Sequence, residues 1–420
     1  MKKQLAIGVG LAILSTSAFA SKARLDALGE DSRDGSFYIQ DTRSVFGNPA
    51  YVTNFKDYVL VELGSDVATD AITAPNAEGG FFRSWGNFSY GLYLGDDFDA
   101  FERQSAGFDI TAAGQNVAAA SSPLAPDNRW ELFFGGDSGV QWGASFYYNH
   151  SSADNGPGTS DTDGNIVLRK NTAYGLSLGA IVGNIEGYAN FDIHDESEGA
   201  THKNDKFDAD LGYKVGASYA THGWTFAGEY NKRGYEYTPA DPSGNGTTGG
   251  SDNFSNRDHS RKEWWLAAGR TTEINDKARW FTDITFDRTK VEEKYARVNT
   301  TVATNDRIPT TTNRPTKTTT YSLPLSIALE ADATSWLTLR GSVAQNIYQT
   351  SVSAGSVRTS GTGATTVVAG ATLNFGQLKV DGMIGNDAAG AGTGAGGATS
   401  TGGTLRLDSL LSRVAVHYWF

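Results

Sequence analysis

One pattern limits what this chain can fold into more than any other: apolar and small or polar residues alternate two by two, in segment after segment. Val140, Trp142, Ala144, Phe146 and Tyr148 share one parity, and Gln141, Gly143, Ser145, Tyr147 and Asn149 share the other. Leu211, Tyr213, Val215, Ala217 and Tyr219 alternate with Asp210, Gly212, Lys214, Gly216 and Ser218. The pattern recurs at 88–94, 130–134, 174–182, 185–193, 224–230, 264–268, 322–330, 337–343, 367–375 and 378–384. Successive side chains of a strand point to opposite faces, so a period of two marks strands with one apolar face. The reading is all-β and antiparallel.

A soluble sandwich also alternates, with its apolar face inward. Two features favour a transmembrane β-barrel instead. The non-apolar face is Gly, Ser, Asn and Thr with occasional charges, a composition that can line a wet lumen. The connections also alternate in length. Short ones fall at Trp85-Gly86-Asn87, Gly135 to Gly139, Gly183-Asn184, Thr221-His222-Gly223, Ile274 to Lys277, Ala331 to Trp336 and Gly376-Gln377, rich in residues that suit tight turns. Long polar ones cover roughly 65–78, 95–127, 150–171, 194–208, 238–260, 296–317, 351–364 and 388–404. Seven turns and eight loops predict 16 strands, with short periplasmic turns, long outer loops and both ends on the turn side. Fourteen strands is the alternative, if 58–64 and 79–85 are not strands. Aromatics near strand ends, among them Trp85, Trp130, Trp224, Trp280 and Trp336, fit the rings found at membrane–water boundaries.

The first twenty residues read as a secretory signal peptide: Lys2 and Lys3, an apolar run from Leu5 to Leu14, then Ala18-Phe19-Ala20. Beyond them no apolar stretch approaches the ~20 residues of a membrane-spanning helix. Residues 21–57 lack clean alternation and are expected to form an N-terminal periplasmic extension or partial plug, ahead of a barrel over 58–420. The chain has no cysteine and a net charge of −12. Nucleic acid is excluded as a partner, since binding it needs a basic face.

The chain ends Arg413-Val414-Ala415-Val416-His417-Tyr418-Trp419-Phe420, with Val414, Val416, Tyr418 and Phe420 on one parity. This resembles the C-terminal assembly signal of Gram-negative outer-membrane barrels of the porin type. The resemblance implies an outer-membrane location, contact with membrane lipid, and insertion by the barrel-assembly machinery. Sixteen-stranded porins commonly form homotrimers, and the resemblance extends that expectation here. A second resemblance lies in Asp41-Thr42-Arg43-Ser44-Val45-Phe46-Gly47-Asn48-Pro49-Ala50, similar to a segment of the long-chain fatty-acid transporter family that precedes the barrel after a small plug. Phe46 and Asn48-Pro49-Ala50 match, whereas Thr42 departs from that family's small residue. The same residues also read as a simple turn, because Asn-Pro forces extended backbone before the proline.

Little in the chain points to catalysis. The six histidines form no H-E-x-x-H spacing, and no G-x-S-x-G elbow occurs. His194 with Asp195, Glu196, Glu198, His202 and Asp205 reads as a solvated charged loop rather than a metal site. Asp161-Thr162-Asp163-Gly164-Asn165 lacks the distal Glu of a calcium loop. No enzyme activity, metal or cofactor is expected.

The chemistry expected is that of a lumen. With outward parity set by the aromatics, Glu131, Glu186, Asp192, Lys214, Glu229, Arg233, Asp283, Asp287, Glu330, Arg340 and Asp381 become pore-lining candidates. Acids outnumber bases in this set, which favours cations over anions. The loop 150–171, with Asp154, Asp161 and Asp163, is the candidate constriction, by analogy with general porins. The leading expectation is a porin for passive diffusion of small hydrophilic solutes and ions, weakly cation-preferring. The alternatives are a plugged transporter of hydrophobic compounds, or an abundant structural or surface-interaction barrel.

Overall fold

The computed structural model describes residues 21–30, 32, 34–64, 76–96, 129–154, 168–199, 206–238, 256–296, 316–353, 358–361, 363, 365–386 and 410–420. Eighteen strand segments form one antiparallel sheet. They are β1 (Tyr58–Gly64), β2 (Asn76–Trp85), β3 (Phe88–Leu94), β4 (Trp130–Asp137), β5 (Gln141–Asp154), β6 (Leu168–Val182), β7 (Ile185–Glu198), β8 (Lys206–Ala209) and β9 (Gly212–Thr221). The second half comprises β10 (Trp224–Thr238), β11 (Asn256–Asn275), β12 (Ala278–Ala296), β13 (Thr316–Thr334), β14 (Leu337–Ser353), β15 (Arg358–Gly361), β16 (Thr365–Phe375), β17 (Leu378–Asn386) and β18 (Leu410–Trp419).

Two segment pairs are single strands with a local interruption. β8 and β9 both pair with β10, and across the break the Asp210 amide still donates to the Gly234 carbonyl at 2.9 Å. β15 and β16 both pair with β14, and the Gly363 amide donates to the Asn346 carbonyl at 2.8 Å. The barrel therefore has 16 strands. It closes through β1 and β18, with Val59 opposite Tyr418 and Val61 opposite Val416. Closure leaves no unpaired sheet edge, which a lipid environment requires.

Alternation sorts the two faces as expected. Val59, Val61 and Leu63 are exposed outward, whereas Tyr58, Leu60 and Glu62 between them are buried. On β18, Val414, Val416, Tyr418 and Phe420 point out, and Ala415 and His417 are buried inside. All seven short connections fall where the turn residues placed them. Gly86 (φ 61°) and Gly376 (φ 72°) adopt the left-handed backbone that tight hairpin turns demand. Pro324 sits in β13 at a register shift, and there the Asn346 side chain accepts from the Leu323 amide at 3.1 Å. A proline lacks the ladder donor, so a bulge is where a central strand can hold one.

The long loops begin farther from the barrel's middle than expected. Residues 150–154 and 168–171 belong to β5 and β6, not to a loop, and strand structure likewise enters 194–208, 238–260, 296–317 and 351–364. β11 runs for 20 residues and β12 and β13 for 19 each, where ~9–11 suffice to cross a bilayer. Past the lipid both faces meet water, so the apolar alternation fades while the ladder continues. Glu78, placed in a loop by its sequence, is for the same reason an inward residue of β2.

Residues 21–57 fold as α1 (Lys22–Ala27), α2 (Ser44–Gly47) and a 3₁₀ turn at Pro49–Thr53. They bond or pack against β2, β7, β9, β12, β13, β17 and β18, strands spread around the whole ring, so the segment lies inside the barrel. It brings its own apolar core. Val45, Phe46, Tyr51, Val52 and Phe55 pack on Tyr58, Leu60, Phe82, Tyr93 and Phe133. Leu25, Leu28 and Ile39 pack on Phe281 and Ala328. Each such side chain contributes roughly 1.5–3 kcal/mol on full burial. Inward glycines make room for it: a Cβ at Gly143 would strike the Pro49 carbonyl, one at Gly179 the Asn48 side chain, and one at Gly269 the Tyr38 ring.

Candidate solute pathway

The interior divides into a sealed side and an open side. The sealed side is built from ion pairs between the N-terminal segment and the wall. α1 is short and presents Lys22 and Arg24 to the strands. The Lys22 ammonium lies 2.7 Å from Glu78. The Arg24 guanidinium grips Glu330 with two bonds, Nε to Oε2 at 2.8 Å and Nη2 to Oε1 at 3.1 Å, and reaches Asp41 at 3.3 Å. Arg340 extends the chain of charges, donating to Glu330 and to Asp381, both at 3.1 Å. A second cluster centres on Arg43, which pairs with Asp96 at 2.7 Å and stacks over the Phe46 ring at 3.8 Å. Arg129 bonds Glu131 at 2.6 Å beside it.

Pairing works against the cost of burying these charges. Burial opposes the charge on Arg24, yet Glu330 and Asp41 outweigh it and hold the guanidinium above its ordinary pKa. Burial pushes the Asp41 carboxyl up to about 6, against the downward pull of Arg24. Burial also acts to raise Asp96, but Arg43 and Arg129 hold it below the usual carboxylate range. Buried charges persist in this way only when paired and hydrogen-bonded.

The open side is a cavity of about 400 Å³ between the segment and the wall from β7 to β14. Glu30, Asp34, Glu186, Glu229, Glu263, Asp283 and Asp287 line it, and Lys214 is the one basic residue among its lining residues. Lys214 is itself paired with Asp34. Phe37, Tyr51, Tyr188 and Trp265 add aromatic faces. Glu229 is held in place by the Tyr188 hydroxyl at 2.6 Å and the Trp265 indole at 3.2 Å, and Glu186 by the Ser218 hydroxyl at 2.5 Å and the Asn48 amide at 3.3 Å. Asp287 accepts from Ser322 at 3.2 Å.

Every pore-lining candidate faces inward, but they do two different jobs. Glu186, Lys214, Glu229, Asp283 and Asp287 border the cavity. Asp192 accepts from the Tyr147 hydroxyl at 2.8 Å and lies 3.5 Å from Arg233. Glu131, Glu330, Arg340 and Asp381 are covered, at 2%, 4%, 5% and 0% exposure, so they do not line water. For Glu330 and Asp381 the reason is the segment at 21–57, which reaches both, whereas Glu131 is paired with Arg129. Of the constriction candidates, Asp154 ends β5, and Asp161 and Asp163 lie outside the described residues. Residues 21–57 narrow the described interior.

Sequence reasoning did not single out Lys22, Arg24, Arg43, Glu78, Asp96 or Arg129. Their partners lie up to 306 positions away, as with Arg24 and Glu330. The usable signal was the run of charged residues in an N-terminal stretch without alternation. Among the described residues no group of three or more His, Asp or Glu could hold a metal ion.

No protein-family model matches the chain, and no curated protein matches it either. Solved structures similar to it are outer-membrane β-barrels. The FrpB iron transporter of Neisseria meningitidis is 12% identical with a TM-score of 0.36; the match covers 80% of this chain and 63% of that one. The P. putida toluene transporter TodX is 12% identical with a TM-score of 0.31, covering 91% and 95%. A variant of the Rh. blastica porin is 11% identical with a TM-score of 0.31, covering 86% and 98%. The likeness is one of barrel to barrel.

Proposed function

We propose that this protein is an outer-membrane channel for the passive diffusion of small hydrophilic solutes, selective for cations and narrowed by its own N-terminal segment. The observation that carries this reading is the cavity, where seven carboxylates meet one lysine in a space walled by low-dielectric protein. Such a lining concentrates cations and repels anions. Outward-facing Val414, Val416, Tyr418 and Phe420 supply the apolar band and the terminal strand that insertion into the outer membrane calls for. Planar-bilayer recording tests the reading. Small ohmic steps with a cation-selective reversal potential are expected, and deletion of residues 21–57 should enlarge them. Absence of conductance in both proteins would overturn it.

One observation favours a second reading, a carrier of hydrophobic compounds. The segment at Asp41–Ala50, which resembles part of the fatty-acid transporter family, lies inside the barrel, and aromatic faces line the cavity. The carboxylates weigh against an apolar cargo, since a hydrophobic solute would leave them desolvated and unpaired. Equilibrium binding of a long-chain fatty acid, with no conductance, would favour this second reading.

A further inference from the structure

Ser21 directly follows the expected signal peptide, and in the folded protein it is wholly buried, with 0% of its surface exposed. It caps α1 through its carbonyl, which accepts from the amides of Arg24 (2.9 Å) and Leu25 (3.2 Å). Two acidic side chains of the wall lie along Ser21 and the residue after it. The Ser21 hydroxyl reaches Asp381 on β17 at 3.4 Å, and the adjoining Lys22 amide donates to Glu62 on β1 at 2.8 Å. Both carboxylates are buried, at 0% and 4% exposure. His417, also at 0%, stands 3.5 Å from Asp381, and neither of its ring nitrogens has a hydrogen-bond partner among the described residues.

We propose that cleavage between Ala20 and Ser21 makes the Ser21 α-ammonium group a structural cation, seated in the pocket of Asp381, Glu62 and His417, and that this seating locks residues 21–57 into the barrel. Hydrolysis of the Ala20–Ser21 peptide bond by water yields the Ala20 carboxylate and the Ser21 amine, which takes up a proton at neutral pH. The new group brings three donors and a positive charge beside two buried carboxylates, Asp381 at the Ser21 hydroxyl and Glu62 at the Lys22 amide. One of its protons can serve a His417 ring nitrogen, provided that nitrogen is the unprotonated one. The uncleaved chain offers only a neutral peptide N–H there. Processing thus does more than release the chain from export: it creates the group that completes the plug. The inference rests on the cleavage site read from the sequence, not on the solute the channel carries.

The test uses the full-length protein, expressed with its export signal and purified folded in detergent. The mass of the N-terminal peptide first establishes whether the chain starts at Ser21. A start elsewhere overturns the proposal. An amine-selective acylating reagent at pH 7 then reports access to the α-amine. The native form should react about ten-fold more slowly than the urea-unfolded chain, or slower still, the equivalent of one unit or more of stabilised pKa. Equal rates would refute it. Inserting Gly-Ser between Ala20 and Ser21 moves the amine away while keeping every side chain. That protein should react at the unfolded rate and open to larger conductance steps. Glu62→Gln, a milder change, should speed acylation without altering the barrel's resistance to heat-induced unfolding on gels. If both variants keep the native rate and conductance, the α-amine is not a lock.

Discussion

Arg24→Met removes one of the cations that join the N-terminal segment to the wall while preserving most of its volume. In the folded protein Arg24 is 3% exposed and holds Glu330 by two bonds and Asp41 by one. Breaking a buried pair by deleting one partner costs about 3–5 kcal/mol. Glu330 keeps Arg340 at 3.1 Å, which places the loss near the lower end. About 3 kcal/mol corresponds to roughly a 150-fold shift from seated toward unseated segment. In single-channel records the variant should occupy a large-conductance state that the parent protein enters rarely, and residues 21–57 should become open to trypsin. Acid should soften the defect. The Asp41 carboxyl already has its pKa raised to about 6 when seated, against 3.8 ordinarily. A raised acid binds its proton more tightly in the seated state, so seating gains as pH falls through 6 toward 3.8, and is least favoured above 6. Losing Arg24 raises Asp41 further, which makes pH 5 partly restorative. Unchanged conductance and unchanged protease resistance at pH 7.5 would refute the reasoning.

Other outcomes follow from named contacts. Gly179→Val drives a side chain into Asn48 and should dislodge the segment at about 1–3 kcal/mol, whereas Gly382→Ala, with nothing near its Cβ, should leave protease resistance unchanged. Asp283→Asn with Asp287→Asn removes two of the seven cavity carboxylates and should move the reversal potential toward anions; an unmoved potential would contradict the cation path. Val416→Arg places a charge on the lipid face of β18 at a cost of about 2–4 kcal/mol and should lower the yield of heat-modifiable barrel in the outer membrane.

The barrel was legible because its information is local. Alternation sets the faces of each strand, and Gly, Asn and Asp set the turns, so 16 strands, seven turns and the outward parity at Val414 to Phe420 could be read residue by residue. The lengths of β11 to β13 were not, since strands beyond the lipid lose the alternation that marked them. The interior was legible only in part. Parity placed Glu330, Arg340 and Asp381 inward, but their sealing depends on Arg24 and Ser21, more than 300 positions away in sequence. Gly143 and Gly179 looked like ordinary lumen residues, and their role as clearance for Pro49 and Asn48 appears only in three dimensions.

Residues 21–57 sit inside the barrel against the wall, close enough to it for a cross-link. The chain has no cysteine, so one engineered pair reports on this without background. A Cβ at Gly370 falls 2.6 Å from the Ala27 Cβ, about an ångström inside disulfide spacing, which a small shift of α1 relieves. Ala27→Cys with Gly370→Cys should cross-link spontaneously in the folded protein, giving one peptide pair by mass after proteolysis. Two free thiols in a folded barrel, even under oxidant, would place the segment elsewhere.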